Sequence, residues 1–556
     1  MNTNNIRNNN ISNPTDSERY ELLEKLLEMR ERKEDLPDIL DTLSPPEDIT
    51  CICPSGYGKE KNINVAILGG GLSGLTAAFE LRKLGINVTL YEAKDRYGGR
   101  IYTHYFDKEK LYRAELGSMR IPLAHECVWH YLNLFKIQTR SFLYKNINGF
   151  TYIKGVRLRG DIQGKEAMEK IYPLFNLKEW EKKVHWNKML DDSLARPLLS
   201  LTSSERKEIL QIKKEYSFKY NTLCQYTLRQ MLIKGYLSEG AIDLVSSFSP
   251  FVRFLQPYSY SETLHDEYPV DFSQYLELKD GMISFIDVFL EALNSDNHFS
   301  YGVSPDNLGY MTLKLNTPIE KISWSEGNNQ VTLSYKEKDQ FISKKFDFVV
   351  NTIPFTVLRN LDMSDLKSNI ASQSIKELNY IDALKVFILY KRRFWEDLGI
   401  ITGSSLTDLP NGVLYYPSDH YYSGIKNPNE PGVLLACYNL ALEATKLASL
   451  GENKIIEYMN RNLENIHGLP QGTLDKYVLD YKICHWNTQK WIGGAFAFFY
   501  PDQKRTFLYD LTEPEYDNKM FFAGEHVSST HAWMQGSIKS ALDASNKIAK
   551  LITKRF

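Results

Sequence analysis

Residues Asn64 to Ala93 read NVAILGGGLSGLTAAFELRKLGINVTLYEA. NVAIL is a short apolar run suited to a buried parallel strand. Gly69, Gly71 and Gly74 fit the spacing G-x-G-x-x-G. In that pattern the first glycine turns the chain and the second lets backbone approach a pyrophosphate. The third lets helix and strand pack closely. LSGLTAAFELRKL then predicts a helix that stops at Gly85, a natural residue for the left-handed turn after a helix. A second strand, NVTLY, delivers Glu92 about 20 residues beyond the glycines, where its carboxylate would accept hydrogen bonds from a ribose. A glycine triplet alone is weak evidence. Strand, helix, second strand and acid in sequence predict an α/β fold built on a Rossmann-type dinucleotide-binding unit.

The bulk properties bound what surrounds that unit. At 556 residues the chain has room for about two or three domains. Its 43% hydrophobic and 24% charged residues are those of a globular protein, which excludes a disordered or fibrous class. A net charge of -2 offers no basic surface for nucleic acid or an anionic membrane. No stretch approaches the roughly 18–20 apolar residues of a membrane span. The opening MNTNNIRNNNISNP lacks the apolar core of a signal peptide and predicts a polar tail, so a cytoplasmic location is the expectation. Six cysteines do not make a disulfide framework, and Cys51 and Cys53 form an isolated C-x-C with no matching metal-ligand cluster.

Texture along the chain divides it further. TDSERYELLEKLLEMRERKEDL predicts an amphipathic helix with a capping box at Thr15 and Glu18 and with Leu22, Leu23, Leu26 and Leu27 on one face. A linker containing Pro and Cys follows. Residues 160–275 hold long charged amphipathic stretches such as LKEWEKKVHWNKML and read as helical. From about 310 the runs YMTLKL, QVTLSYK, FDFVV, ALKVFILYKR, GVLLACYN and GGAFAFFYP read as strands. The chain closes with a buried strand, KMFFAG, and a final helix.

Two further motifs carry a resemblance to a known family. Past Glu92 comes AKDRYGGRIYT, and Phe521 to Leu542 read FFAGEHVSSTHAWMQGSIKSAL. A helix beginning near Met534 would aim its partly positive N-terminus at a flavin pyrimidine. Both segments resemble the flavin amine oxidase superfamily, in the order that superfamily has them. The resemblance implies a glutathione-reductase-like FAD domain with a mixed-sheet substrate domain and a helical insertion. Residues 1–60 would be tail, helix and linker. The FAD domain would comprise 61–100, 281–370 and 506–556, the substrate domain 101–154 and 371–505, and the helical domain 155–280. FAD contacts are implied at Gly69, Gly71, Leu72, Ser73, Gly74, Glu92, Ala93, Gly98, Gly99 and Arg100. They continue at Gly117, Ser118, Met119, Arg120, Ile319, Gly524, Glu525, Trp533, Met534, Gln535 and Ser537. No cysteine follows Cys484, so the FAD is expected to be held without a covalent bond.

One stretch narrows the family. ELGSMRIP, Glu115 to Pro122, places an arginine among apolar residues, and a buried arginine needs a partner. That partner is either a protein carboxylate, Glu115 or Glu126, or a ligand that brings one. The segment looks like the G-x-M-R-x-P of L-amino-acid oxidases, whose arginine clamps the substrate carboxylate through a bidentate fork. IKGYLSEGAIDLV and KVFILYKRRFWEDLGIITGSSLTDLPNGVLYYP are similar to the snake-venom members. On that resemblance Lys385 holds a water against flavin N5. Of Tyr415 and Tyr416 only one can face the flavin, and the resemblance favours Tyr416 as the residue whose hydroxyl joins Arg120 on the substrate carboxylate. Trp533 flanks the substrate, and the Ala532 carbonyl takes its amino group at a position where the family usually has glycine. Ala495 replaces a larger aliphatic residue. His265, at the family histidine's spacing from Asp280–Met282, is a candidate base, and a nearly neutral imidazole would serve.

The implied activity is oxidative deamination of an L-amino acid by hydride transfer to flavin N5. Its products are a 2-oxo acid, ammonia and, with oxygen as acceptor, hydrogen peroxide. A decarboxylating, amide-forming L-amino-acid monooxygenase is the nearest alternative, followed by an amine or polyamine oxidase and by a non-catalytic FAD-holding protein. The expected partners are a small-molecule amino acid and oxygen, with no nucleic acid and no membrane. Assembly, including a homodimer, stays open.

Overall fold

A computed structural model describes residues 13–554 apart from 162, 326, 328, 339, 364 and 367. The opening stretch forms β1 (Asn64–Leu68), helix α1 (Leu72–Lys83) and β2 (Asn87–Tyr91). β3 (Met311–Lys314), β4 (Phe348–Asn351) and β5 (Met520–Phe522) complete a sheet of order β3-β2-β1-β4-β5 in which every pairing is parallel. β1 lies between β2, the next strand in sequence, and the sequence-distant β4, so the strand order reverses direction at β1 as in a doubly wound α/β sheet. Each of the four residues of β4 is buried, consistent with a parallel sheet covered on both faces.

Close approach holds this unit together. A Cβ on Gly74 would sit 2.0 Å from the Gly69 carbonyl oxygen, so only glycine lets α1 lie this near β1. Gly69 itself takes a φ of +105°, which glycine adopts without strain. Gly85 follows the helix at a φ of +78°, as expected for its stop. Every residue of α1 is buried, because the closing helix α2 (Met534–Lys554) and the helix Ser284–Leu293 pack around it. Its charged residues are satisfied locally. Lys83 Nζ lies 2.9 Å from Glu80 Oε1, which also accepts from the Tyr131 hydroxyl at 2.7 Å.

A second, seven-stranded sheet is mixed. It contains the fully buried strand Ala383–Tyr390 between Val478–His485 and Gly432–Leu440, then Val413–Tyr416, Gly403–Thr407, Phe150–Ile153 and Val156–Arg159. Its pairs are antiparallel except Gly403–Thr407 with Phe150–Ile153. The chain is thus α/β with mixed sheets. The six β-like runs of the sequence all contain strands, whereas VLDYKICH was not recognised as one.

The region from Lys165 to Glu267 is helical but broken into short pieces. LKEWEKKVHWNKML does not form one amphipathic helix. The Glu181 carboxylate turns inward to accept from the backbone N–H groups of Lys178 and Ser238, each at 2.7 Å, and from the Ser238 hydroxyl. At the N-terminus the helix Asp16–Glu28 forms with its Thr15–Glu18 capping box, and Leu23 and Leu27 are buried. Arg19 fastens it to the body through the Leu123 carbonyl and Glu126, both at 2.6 Å. No helix among the described residues is long and apolar enough to cross a membrane, and all six cysteines are free thiols.

Gly74→Ala is expected to destabilise the protein by about 1–3 kcal/mol, the usual cost of an overpacked core. Denaturant unfolding measures this; unchanged stability would mean that helix and strand separate at no cost.

Candidate active site

A cavity of about 810 Å³ starts at the carboxyl edge of the parallel sheet and runs to the strand that carries Lys385. At its first end lie Gly69, Gly71, Leu72 and Ser73, the β1–α1 turn and the first turn of α1. A Cβ added to Gly71 would meet nothing within 4 Å, so bare backbone faces open space. Helix N-termini present unpaired N–H groups and partial positive charge, a ready anion site. The buried Ser73 hydroxyl also lacks a partner among the described residues. Glu92 lines the same end with Ala93. Its carboxylate accepts from the backbone of Gly70 at 2.7 Å and Lys94 at 2.8 Å. Burial raises its pKa, and those N–H donors oppose the rise. Gly98 docks its N–H on the Gly70 carbonyl at 2.8 Å, and Gly99 lies beside Gly71. An open glycine turn, an orphaned hydroxyl and a fixed carboxylate fit a dinucleotide.

The middle of the cavity is framed by Arg100, Gly117, Ser118, Met119, Ile319, Gly524, Glu525, Met534 and Ser537. Arg100 Nη1 pairs with Glu525 Oε1 at 2.7 Å and donates to the Ala495 carbonyl at 3.0 Å. Glu525 also accepts from the backbone of Ala497 and Ala532. Burial pushes the Glu525 pKa up, but Arg100, His531 and His526 outweigh it and hold the carboxylate ionised. Gln535 is not here, contrary to expectation. It is fully buried on the other side of α2, donating to the Leu43 carbonyl at 2.6 Å and accepting from Cys127 N–H at 3.0 Å. Gly74 likewise stays outside the cavity, where its part is packing.

The far chamber contains Arg120, Lys385, Tyr438, Ala495, Ala532 and Trp533. Arg120 has no carboxylate within ion-pair distance among the described residues. Glu126 is taken by Arg19 and the Tyr20 hydroxyl. Glu115 accepts from Thr103 Oγ1 at 2.7 Å and Met282 N–H at 3.2 Å. Aromatic rings surround the guanidinium instead: Tyr275 at 4.7 Å, Trp533 at 5.9 Å and Phe251 at 6.0 Å from its carbon. Burial opposes its charge, yet the Tyr275, Tyr415 and Tyr438 hydroxyls and Asp266 keep its pKa raised. Ala532 holds a left-handed φ of +65°, a conformation that usually selects glycine.

Lys385 Nζ donates to the carbonyls of Gly117 at 2.7 Å and Glu115 at 3.0 Å and lies 3.3 Å from Met119 Sδ. Burial, reinforced by the charge of Arg120, lowers its pKa to about 7.

Two expectations for this chamber are corrected. Tyr416 points away from it: its hydroxyl meets Ser405 Oγ at 2.8 Å and His467 Nε2 at 2.7 Å, inside another core cluster. Tyr415 is the tyrosine on the Arg120 side, since neighbouring strand residues face opposite ways. His265 is buried and does not line the cavity. Burial depresses its pKa, but Asp266 at 3.3 Å, with Glu262 and Asp271, outweighs that and lifts it to about 9. An imidazole already protonated at neutral pH is no proton acceptor there. Asp266, the next residue, lines the chamber. It was missed, as were Tyr275, Tyr438 and Phe251, for lack of any motif around them.

A nucleotide-type cradle joined to a small chamber around an arginine that has no carboxylate among the described residues is the arrangement of a protein that holds a nucleotide-type cofactor beside a small-molecule site. The chain belongs to the family described as flavin containing amine oxidoreductase, whose model matches residues 72–549. It is a flavin-using oxidoreductase. It is similar to the L-amino-acid oxidase of Daboia russelii, 28% identical over 510 residues that make up 90% of this chain and 92% of that one. The L-amino-acid oxidase of Vipera ammodytes ammodytes is 29% identical over 512 residues, 90% and 96% of the two chains. Among solved structures, wild-type putrescine oxidase bound to putrescine matches with a TM-score of 0.64 at 19% identity. That match covers 89% of this chain and 99% of the other, a likeness of fold.

The lowered pKa of Lys385 has a thermodynamic consequence. Between pH 10.5, the ordinary value of a lysine, and about 7 the unfolded chain takes up a proton that the folded chain does not, so stability falls as pH falls. Lys385→Met removes that loss. Its stability relative to the parent is expected to be greatest at or below pH 7 and to decline towards pH 10.5, as read by chemical denaturation at several pH values. A pH-independent difference would show that the lysine is not perturbed.

Proposed function

We propose that the protein is an L-amino-acid oxidase that binds FAD non-covalently in a glutathione-reductase-like domain. In this reading it converts an L-amino acid to a 2-oxo acid, ammonia and hydrogen peroxide. The observation that carries it is Arg120, a guanidinium facing the cavity with no carboxylate of its own. A substrate carboxylate supplies the missing charge through two parallel hydrogen bonds, a demand that plain amines do not meet. The curated relatives named L-amino-acid oxidase agree with it.

FAD, when bound, supplies the hydride acceptor. It would lie along the glycine turn, with Glu92 towards its ribose and the N-terminal turn of α1 at its phosphates. None of the six cysteines lines the cavity, which supports non-covalent binding. Arg120 anchors the carboxylate, and the Tyr415 and Tyr438 hydroxyls border that anchor. The Trp533 ring closes one wall, restricting how the substrate Cα is presented, and such positioning is a large part of catalysis. The Ala532 carbonyl is assigned to the amino group. Lys385 Nζ, anchored by Gly117 and Glu115 and near its titration midpoint at neutral pH, is suited to hold or exchange a proton at a water above it.

Incubating FAD-loaded protein with L-amino acids in air, with peroxidase and a dye consuming peroxide as it forms so that it cannot decarboxylate the 2-oxo acid, is expected to yield ammonia and peroxide in equal amounts with little carbon dioxide. Arg120→Gln is expected to lower kcat/KM about a hundredfold or more, the scale of losing one buried charge partner. Abundant carbon dioxide without ammonia would replace the oxidase with a decarboxylating monooxygenase. Amine oxidation untouched by Arg120→Gln would replace it with an amine oxidase.

A further inference from the structure

The chamber holds a second charge that the sequence did not announce. Four carboxylates line the cavity: Glu92, Asp266, Glu320 and Glu525. Glu92 is fixed by backbone N–H groups at the dinucleotide end. Glu525 is neutralised by Arg100, and Glu320 pairs with Lys336 at 3.4 Å. Among the described residues only Asp266 stands in the chamber of Arg120. Both acid and arginine are tied to one indole: Trp533 Nε1 donates to Asp266 Oδ1 at 2.7 Å, and the Arg120 guanidinium carbon lies 5.9 Å from the centre of the Trp533 rings. They form no ion pair with each other among the described residues.

The acid is also incompletely used. His265 Nε2 approaches the same oxygen, Oδ1, at 3.3 Å. Oδ2 therefore has no partner among the described residues, although the side chain is only 13% exposed. This free carboxylate oxygen and the unpaired guanidinium line the same cavity, open to a ligand. A zwitterion satisfies both at once. With its carboxylate on Arg120, its cationic end would find in the Ala532 carbonyl a neutral acceptor and in Asp266 the one anion of the chamber among the described residues.

We propose that Asp266 is the counter-ion for a cationic nitrogen of the substrate, held in place by the Trp533 indole, so that the chamber selects molecules carrying both charges. This rests on the amino-acid reading of Arg120. The nitrogen is the α-ammonium or a side-chain ammonium, and the two sources separate experimentally.

The test uses FAD-loaded protein and ligands without a Cα–H bond, which cannot be oxidised, with binding measured by calorimetry. 2-Aminoisobutyrate carries both charges; pivalate replaces its ammonium by a methyl group of similar size. Asp266→Asn, which keeps an acceptor for the Trp533 indole, is expected to weaken 2-aminoisobutyrate about tenfold or more while leaving pivalate unchanged. That result assigns the α-ammonium. Unchanged 2-aminoisobutyrate with weakened α-methyl-L-lysine assigns a side-chain ammonium. If all three bind Asp266→Asn as they bind the parent, the proposal is overturned. Pivalate retention also shows that the variant is folded, and its loss in Arg120→Gln checks the reading beneath the proposal. Should the parent bind pivalate no better than Arg120→Gln does, the amino-acid reading falls and Asp266 falls with it.

Discussion

The Arg120 guanidinium faces the cavity with its fork unfilled, and such a fork makes its strongest hydrogen bonds to an anion that can meet both arms. The surroundings of Arg120 keep it unpaired among the described residues. Glu126, six residues away in sequence, is drawn off by Arg19 and Tyr20 of the N-terminal helix. Glu115 is turned towards Thr103 and the backbone of Met282. Aromatic rings surround the guanidinium instead, giving cation–π attraction without filling the fork.

The two sheets meet around the same cavity, and each supplies what the other lacks. The parallel sheet provides the glycine turn, the helix N-terminus and Glu92, a surface of backbone and dipoles suited to phosphates and ribose. The mixed sheet provides rigid side chains: Lys385 from the buried strand Ala383–Tyr390 and Tyr438 from Gly432–Leu440, which face each other as registered partners. The segment Gly117–Arg120 lies between them. Lys385 grips its Gly117 carbonyl, and a Cβ on Gly117 would collide with the Arg100 carbonyl at 1.7 Å. The arginine of the chamber and the arginine beside Glu525 are therefore placed by one closely packed loop.

Most of the dinucleotide end was legible in the sequence, because glycine spacing, strand patterning and an acid at fixed separation constrain each other within one stretch. What failed depended on contacts between distant segments. Gln535 left the cavity because the Leu43 carbonyl, almost five hundred residues earlier, accepts its amide. The choice between Tyr415 and Tyr416 turned on which face of the mixed sheet meets the cavity. A register shift opposite Val386 and Phe387 puts Leu435 and Tyr438 on one side of the chain despite their odd separation, so alternation alone gives no answer. His265 and Asp266 differ by about 100° around their helix, and spacing from a distant turn cannot fix that phase. LKEWEKKVHWNKML reads as an amphipathic helical stretch because the partner that draws Glu181 inward, Ser238, lies 57 residues away.

The central claim is that the lone arginine waits for a substrate carboxylate. Its most direct test is anaerobic mixing of the FAD-loaded protein with matched pairs of compounds, following the flavin absorbance. Each L-amino acid would be set against its decarboxylated amine, with the side chain kept constant. The account requires that an L-amino acid bleach the flavin while its amine does so at least a hundredfold more slowly. Equal bleaching by both, or by the amine alone, would contradict it.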